Sequence, residues 1–451
     1  MSSRVFDTIF SLSSASGRAG VSVFRISGPL SGSVLEALIH KPLPRPRYAS
    51  LAQIKDKAGG MIDEGLVLWM PGPASFTGED CAECQVHGSP AVIEAMASAL
   101  LSAGARQAEA GEFTRRAFEN GRLDLTEAEG LADLIDADTQ GQRRQALRQM
   151  QGGLKAVYEG WRDRILDVLA QIEGEIDFPD EGDIPDNLSH KAAQPLTNLS
   201  RDIEVMLENA DRGERVRAGI DIAIIGPPNA GKSSIINRLV GRNAAIVTDI
   251  AGTTRDVLEM NLVLAGLPVR LFDTAGLRRS DDPIEAEGIR RARERAETAD
   301  IRLAIFDGQK FGKQSLEALG AGELMRGGDF VIVNKSDLAS PSTAAVPANI
   351  TAHTVSALTG SGFETLLAAL ETAVQERYSP LGDVGLTRAR HRDCVNRLRE
   401  SIDRAQLALG RAPELAGDDL RGALQSISEL AGETDIEAVF DRIFSRFCVG
   451  K

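Results

Sequence analysis

The sequence predicts an α/β chain: a doubly wound parallel sheet inserted into a helical domain, with a smaller α/β domain in front of both. Three observations predict it. Between 215 and 377, apolar runs at 220–225, 303–306 and 330–333 alternate with helical segments, the pattern of parallel strands joined by crossover helices. On either side, in 121–214 and 378–451, the apolar period becomes that of a helix. Before 121, short apolar runs alternate with Gly and Pro. At roughly 150 residues per domain the chain holds about three, and 43% hydrophobic with 26% charged residues is a globular composition.

Within 1–120, Val21-Ser22-Val23-Phe24-Arg25-Ile26 and Leu66-Val67-Leu68-Trp69-Met70 read as strands bounded by Gly or Pro, and Ala-rich 91–103 reads as a helix. In 121–214, Trp161, Ile165, Val168, Leu169, Ile172 and Ile176 recur on one helix face, and Pro179 ends that helix. A second amphipathic pattern covers 191–210, and beyond Pro380 helices are predicted at 388–409 and 418–445. The sheet of 215–377 thus interrupts one helical domain, an insertion tolerated where termini lie close together.

Composition excludes several classes. The net charge is −14, so the surface cannot be coated in nucleic acid, and any RNA contact needs a local basic patch. Aromatics at 4% argue against a base-stacking sheet. The four cysteines, 81, 84, 394 and 448, are too sparse for a disulfide framework. Cys81 and Cys84 form a CxxC with no second pair at zinc spacing, which reads as a semi-buried strand. No apolar run approaches the roughly 18 residues of a membrane span, and the N-terminus lacks a signal-like apolar stretch, so a cytoplasmic enzyme with no membrane contact is expected.

Chemistry concentrates in the inserted domain. Gly226-Pro227-Pro228-Asn229-Ala230-Gly231-Lys232-Ser233 matches GxxxxGK[ST], follows a strand and opens a helix at Ser234, the context a phosphate-binding loop requires. Glycines let backbone N–H groups curl around phosphates at the helix N-terminus. Lys232 reaches the β- and γ-phosphates and Ser233 ligates Mg²⁺. Asp273-Thr274-Ala275-Gly276 follows a strand at 269–272; the Asp suits the outer Mg²⁺ shell and the Gly276 amide the γ-phosphate. Thr253 or Thr254 completes the Mg²⁺ shell in the manner of a switch loop. Asn334-Lys335-Ser336-Asp337 follows the strand at 330–333. A carboxylate there accepts N1–H and the 2-amino group of guanine, so the nucleotide is GTP rather than ATP. Ser356-Ala357-Leu358 adds backbone donors to the guanine O6. These motifs, ordered along the strand ends, define a Ras-like GTPase domain.

The residue after Gly276 is Leu277, where Ras-like enzymes carry a water-orienting Gln, and no arginine finger is evident in cis. Glu285 is a candidate to position the water, with Glu287 competing; either also serves as a helix N-terminal dipole partner.

The chain resembles the MnmE (TrmE) family of tRNA wobble-uridine modification GTPases over nearly its whole length. The resemblance rests on Val23-Phe24-Arg25-Ile26-Ser27-Gly28, Phe76-Thr77-Gly78-Glu79-Asp80, Gly111-Glu112-Phe113 and Asp177-Phe178-Pro179-Asp180. It continues through the phosphate loop, Thr248-Asp249-Ile250-Ala251-Gly252-Thr253-Thr254-Arg255-Asp256, Asp273-Thr274-Ala275-Gly276-Leu277-Arg278, and Phe447-Cys448-Val449-Gly450-Lys451. It implies K⁺-assisted hydrolysis, with K⁺ where an arginine finger would sit, held by Asn229, Thr248, Ile250 and Thr253. It implies Mg²⁺ ligands at Ser233 and Thr254, Glu285 as the water-positioning residue, and pairing of G domains in a homodimer. The N-terminal domain is similar to tetrahydrofolate-binding folds. The implied one-carbon donor is methylene- or 5-formyltetrahydrofolate, contacted by Arg25, Glu83, Arg122 and Lys451, with Arg122 replacing the family's usual Lys. Cys448 sits in the family's Cys-x-Gly-Lys tail and is carried as a candidate catalytic residue against the reading of an inert thiol. The implied partners are tRNA and the FAD-dependent protein MnmG. Two basic clusters, Arg143, Arg144, Arg148, Lys155, Arg162 and Arg164, and Arg388, Arg390, His391, Arg392, Arg397, Arg399 and Arg404, could hold tRNA or be a solvated face with interleaved acids. The rival reading is a ribosome-assembly or other RNA-associated switch GTPase without modification chemistry.

Overall fold

The computed structural model describes residues 7–15, 17–177, 188–243, 259–273, 293–312, 324–338, 343, 346–378, 385–409 and 411–433. They form two compact units. One takes the described residues up to Ala132, Met150–Lys155 and those from Gln425 on; the other takes Asp133–Gln149 and the described residues between Ala156 and Leu424.

The first unit is built on a six-stranded sheet: β1 (Ile9–Leu12), β2 (Ala19–Ser27), β3 (Ser50–Lys55), β4 (Met61–Met70), β5 (Cys81–Gly88) and β6 (Arg106–Gln107), in the order β3-β4-β5-β2-β1-β6. All pairings are antiparallel except β1 with β6. Two helices, α1 (Ser31–Ile39) and α2 (Pro90–Ser102), bury one sheet face through Phe24, Ile26, Leu35, Ile54, Val67, Trp69 and Leu100. The start of α2 follows capping rules: Ser89 Oγ accepts from the Val92 amide and Pro90 occupies the first turn. The two strands read from the sequence lie within β2 and β4, and the helix at 91–103 matches α2. Strand β3 was hidden because it is an edge strand whose Leu51 and Gln53 face solvent, which breaks the apolar run. The CxxC pair is in a strand but is fully rather than half buried. Cys81 meets Ser27 and Thr77, while Cys84 enters the apolar core, where burial drives its thiol pKa up to about 12. No group of three metal-ligating side chains occurs among the described residues.

Helices follow: α3 (Glu112–Glu119), α4 (Leu125–Ile135), α5 (Gln140–Met150), α6 (Gly153–Asp177), α7 (Leu188–Glu208) and α8 (Ala210–Ala218). The predicted face of α6 is the buried one over most of its length: Trp161, Ile165, Val168, Leu169 and Ile172 are buried, and Ile176 near its end is half-buried. Pro179 lies outside the described residues.

The second unit carries the other sheet, with β7 (Ile220–Ile225), β8 (Glu259–Leu264), β9 (Leu267–Asp273), β10 (Ile301–Asp307), β11 (Phe330–Asn334) and β12 (Thr351–Thr354) in the order β12-β11-β10-β7-β9-β8. All neighbours are parallel except the hairpin β8–β9. The central strands are near-continuous apolar runs because both faces are covered. Helix α9 (Lys232–Asn243) follows β7, and α10 (Phe363–Tyr378) follows β12. Chain order places β9 on one side of β7 and β10 on the other, so the loop leaving β7 opens at the sheet's topological switch point. Helices α11 (Ala389–Ala408) and α12 (Pro413–Ala431) complete the described chain. Helix α12 begins five residues before the predicted 418, and the predicted end at 445 lies outside the described residues. No described helix is long and apolar enough to cross a membrane.

Candidate nucleotide and N-terminal sites

The phosphate loop occupies the switch point between β7 and α9. Its backbone turns left-handed at Asn229 (φ 61°) and Gly231 (φ 91°), the alternation that points successive N–H groups inward. Two of its glycines are required by packing as well as by the ligand. A Cβ on Gly226 would lie 2.2 Å from the Ile305 carbonyl oxygen, and one on Gly231 would lie 2.2 Å from Asn334 Nδ2. Lys232 Nζ donates to the carbonyls of Gly226 (3.0 Å) and Pro227 (3.1 Å). Burial lowers its pKa, and nearby Asp273 opposes that shift. A half-buried ammonium resting on neutral carbonyls of its own loop suits a polyphosphate. Ser233 lies exposed at the opening of α9 and Asp273 lies buried at the end of β9. That hydroxyl-plus-carboxylate set fits Mg²⁺, a hard ion that takes oxygen donors.

The base site is assembled around Asn334, which is buried. Its Nδ2 donates to the Ala230 carbonyl at 2.9 Å, and its Oδ1 accepts from the Ala357 amide at 3.0 Å. One side chain thus ties the phosphate loop to the loop after β12. Ser356 Oγ donates to Asp337 Oδ1 and accepts from the Thr359 amide. Lys335, left-handed at φ 63°, ion-pairs with Asp307 at 2.6 Å, and this partner holds the Asp307 carboxyl below the usual range. The Ser356 amide donates to Ser361 and the Ala357 amide to Asn334. Of the three expected O6 donors, this leaves the Leu358 amide. Sequence reading missed Arg238 on α9, which donates to the carbonyls of Ala357 (2.7 Å) and Leu358 (3.3 Å) and stacks over Phe363. An arginine on an amphipathic helix carries no sequence signal of this role.

Thr248, Asp249, Ile250, Ala251, Gly252, Thr253 and Thr254 lie outside the described residues. So do Thr274, Ala275, Gly276, Leu277, Glu285, Glu287, Cys448 and Lys451.

In the first unit, strand register sets Arg25 on β2 opposite Glu83 on β5. Their ion pair closes at 2.9 Å, with both side chains largely covered. The guanidinium lies 5.3 Å from the Phe76 ring centre and 6.0 Å from that of Phe113. Arg25 is therefore a held group rather than a solvated strand-face charge. The loop around Phe76 packs onto Arg122: Asn120 Nδ2 donates to the Thr77 carbonyl at 2.7 Å, and a Cβ on Gly78 would lie 3.3 Å from Arg122 Cγ. Beneath it runs a network that sequence reading missed, in which buried Ser27 bonds Thr77 and Glu79, and buried Arg116 bonds Glu79, Glu112 and the exposed Asp7. An aromatic-lined carboxylate–guanidinium pair beside an exposed arginine fits a flat heterocycle with donor groups and an anionic tail.

The basic clusters are neutralised in part, for Arg143 and Arg144 are exposed and Arg143 donates to the neutral Gln140. Arg164 pairs with Asp202, Arg388 with Asp133, Arg392 with Asp211 and Glu214, Arg399 with Asp403 and Arg404 with Asp419, while Lys155 approaches Asp124 and Glu127. His391 is buried and accepts from the Thr387 amide. These helices carry interleaved acids.

Two family models cover the chain: "GTP-binding protein TrmE N-terminus" matches residues 8–122 and "MnmE helical domain" matches 125–448. Among curated relatives, a protein of Maricaulis maris is 51% identical over 98% of this chain and 99% of its own length. One of Paramagnetospirillum magneticum is 48% identical over 99% and 100%. One of Caulobacter vibrioides is 47% identical over 99% and 100%. Each bears the name "tRNA modification GTPase MnmE".

Proposed function

The chain belongs to the MnmE family, and from that premise we propose that it hydrolyses GTP to drive modification of C5 of the wobble uridine in certain tRNAs. The observation that carries the nucleotide half is Asn334, which joins the phosphate loop to a base pocket holding the Asp337 carboxylate. The tRNA half is supported by the full-length likeness to relatives that carry that name.

In this reading the loop amides and Lys232 hold the phosphates and Asp337 selects guanine. Ser233 and Thr254 would hold Mg²⁺; Asn229, Thr248, Ile250 and Thr253 would hold K⁺. When bound, the two ions would supply positive charge against the β- and γ-phosphates. Glu285 orients the attacking water. Arg25, Glu83, Arg122 and Lys451 hold methylene- or 5-formyltetrahydrofolate, with Cys448 beside them in the tail. We assign 1–120 to the folate and dimerisation domain, 215–377 to the GTPase domain, and 121–214 with 378–451 to one helical domain. The chain acts as a homodimer with the FAD-dependent protein MnmG and adds an aminomethyl or carboxymethylaminomethyl group.

Reconstitution tests this. Purified chain, the FAD-dependent partner with NADH as reductant, tetrahydrofolate donor, ammonium or glycine as the source of the amine nitrogen, GTP and a tRNA transcript are combined in KCl or NaCl at equal ionic strength. Fast hydrolysis and a modified wobble uridine are expected in KCl, with both much reduced in NaCl. Equal hydrolysis in the two salts removes the K⁺ assignment. Fast hydrolysis with unmodified uridine favours the switch GTPase.

A further inference from the structure

We propose that the tRNA phosphates are gripped by the edge of the N-terminal sheet, along residues 40–57, rather than by the basic helices. This rests on the reading that tRNA is the substrate. The segment holds Lys41, Arg45, Arg47, Lys55 and Lys57 against one carboxylate, Asp56, in a chain of net charge −14. Among the described residues none of these five makes an ion pair, in contrast to the paired arginines of the helices. Of the nearby acids, Asp56 accepts from the amides of Ala58 and Gly60 and Glu36, which lines the same cleft as Lys55 and Lys57, accepts from that of Leu43, while Glu64 on β4 is exposed opposite Gln53. Lys41, Arg45, Arg47, Tyr48 and Lys57 are exposed.

The segment is also positioned. The Arg47 amide donates to the Trp69 carbonyl at 2.8 Å and its guanidinium to the Ala74 carbonyl, so it is anchored but not neutralised. Prolines 42, 44 and 46 stiffen the backbone, which lowers the entropy lost on binding. The Arg45 guanidinium lies 4.0 Å above the Tyr48 ring, and Tyr48 is 52% exposed. A cation held on an open aromatic face is a stacking platform for an unpaired base. From there β3, spanning about 20 Å, leads to Lys55 and Lys57, which with His40 line a 520 Å³ cleft. Edge strands carry Lys and Pro to block strand addition, but that role gives no reason for an exposed tyrosine stacked on arginine. A row of unpaired cations ending in a stacking face matches a nucleic-acid backbone with a splayed base.

The test uses full-length chain and an unmodified tRNA transcript with wobble uridine, followed by fluorescence anisotropy from about 50 to 200 mM KCl. The triple variant Arg45→Ala, Arg47→Ala, Lys57→Ala should bind at least tenfold more weakly, with a log–log salt slope shallower by about 2 to 3, and retain GTP hydrolysis. Tyr48→Ala should weaken binding with an unchanged slope. Arg392→Ala with Arg404→Ala should change neither. Unaltered affinity and slope in the triple variant, while the wild-type chain binds, overturn the proposal alone. No binding by the wild-type chain overturns it together with the tRNA reading. Retained tRNA binding with lost association of the FAD-dependent partner makes the surface a protein-docking face and overturns it too.

Discussion

Asp337 is the residue we propose to select the base. Its carboxylate is acceptor-only and is steadied by the Ser356 hydroxyl, so it matches the N1–H and 2-amino donors of guanine. Asp337→Asn presents a donor where guanine also presents one. GTP affinity should fall on the order of 10²-fold, because a polar group is left unpaired, while xanthosine triphosphate, with a carbonyl at C2, should gain; equilibrium binding of both nucleotides reads this, and equal loss of both would exclude base recognition by Asp337. Arg25 has the matching part in the folate site we propose for the first unit. Arg25→Ala leaves Glu83 without its cation between Phe76 and Phe113. Binding of 5-formyltetrahydrofolate should weaken roughly tenfold or more with GTP affinity intact, and unchanged folate affinity would reject the site. The nucleotide side chains were legible because GxxxxGK[ST] and the Asn-Lys-x-Asp run state their chemistry locally. Arg238, Asp307 and the Ser27–Thr77–Glu79–Arg116 network were not, because each acts through a neighbour 28 to 119 positions away. The unpaired cations of 40–57 escaped notice for a related reason: whether an arginine is neutralised depends on which acid the fold sets beside it.

At the scale of elements, apolar runs disclosed the buried parallel strands β7, β10 and β11, since both faces of each are covered. The hairpin β8–β9 had a weaker signal. Its two-residue turn, Ala265 (φ 51°) and Gly266 (φ 77°), has both residues left-handed, the turn that matches the twist of paired strands. That turn docks on α5, where the Gly141 amide donates to the Gly266 carbonyl at 3.0 Å. A Cβ on Gly141 would lie 2.6 Å from Leu267 Cδ2 and 2.8 Å from the Gly266 oxygen, whereas one on Gly160 in α6 meets nothing within 4 Å. The same substitution should therefore have opposite signs. Gly141→Ala should destabilise by about 1–3 kcal/mol, and Gly160→Ala should stabilise by about 0.5–1 kcal/mol. Thermal melts of the two variants check this, and a stable Gly141→Ala would show that the turn and helix are not packed as described.

At the scale of the whole molecule, the chain joins a nucleotide-hydrolysing sheet to a separate antiparallel-rich sheet bearing an aromatic-lined ion pair. The strands of the parallel sheet and the helical stretches flanking it could be read from changes in apolar period. How the two flanking helical stretches divide between compact units could not, because α4, α5, α6 and α12 run across the boundary and periodicity within a helix does not say what its ends pack against. The central claim is that GTP hydrolysis in one sheet serves covalent chemistry on tRNA, and it is met most directly by nucleoside mass spectrometry of tRNA from cells lacking this chain. The account predicts that the 5-substituted wobble uridines disappear and return with the wild-type chain but not with Lys232→Ala; wobble uridines that stay fully modified without the chain would contradict it.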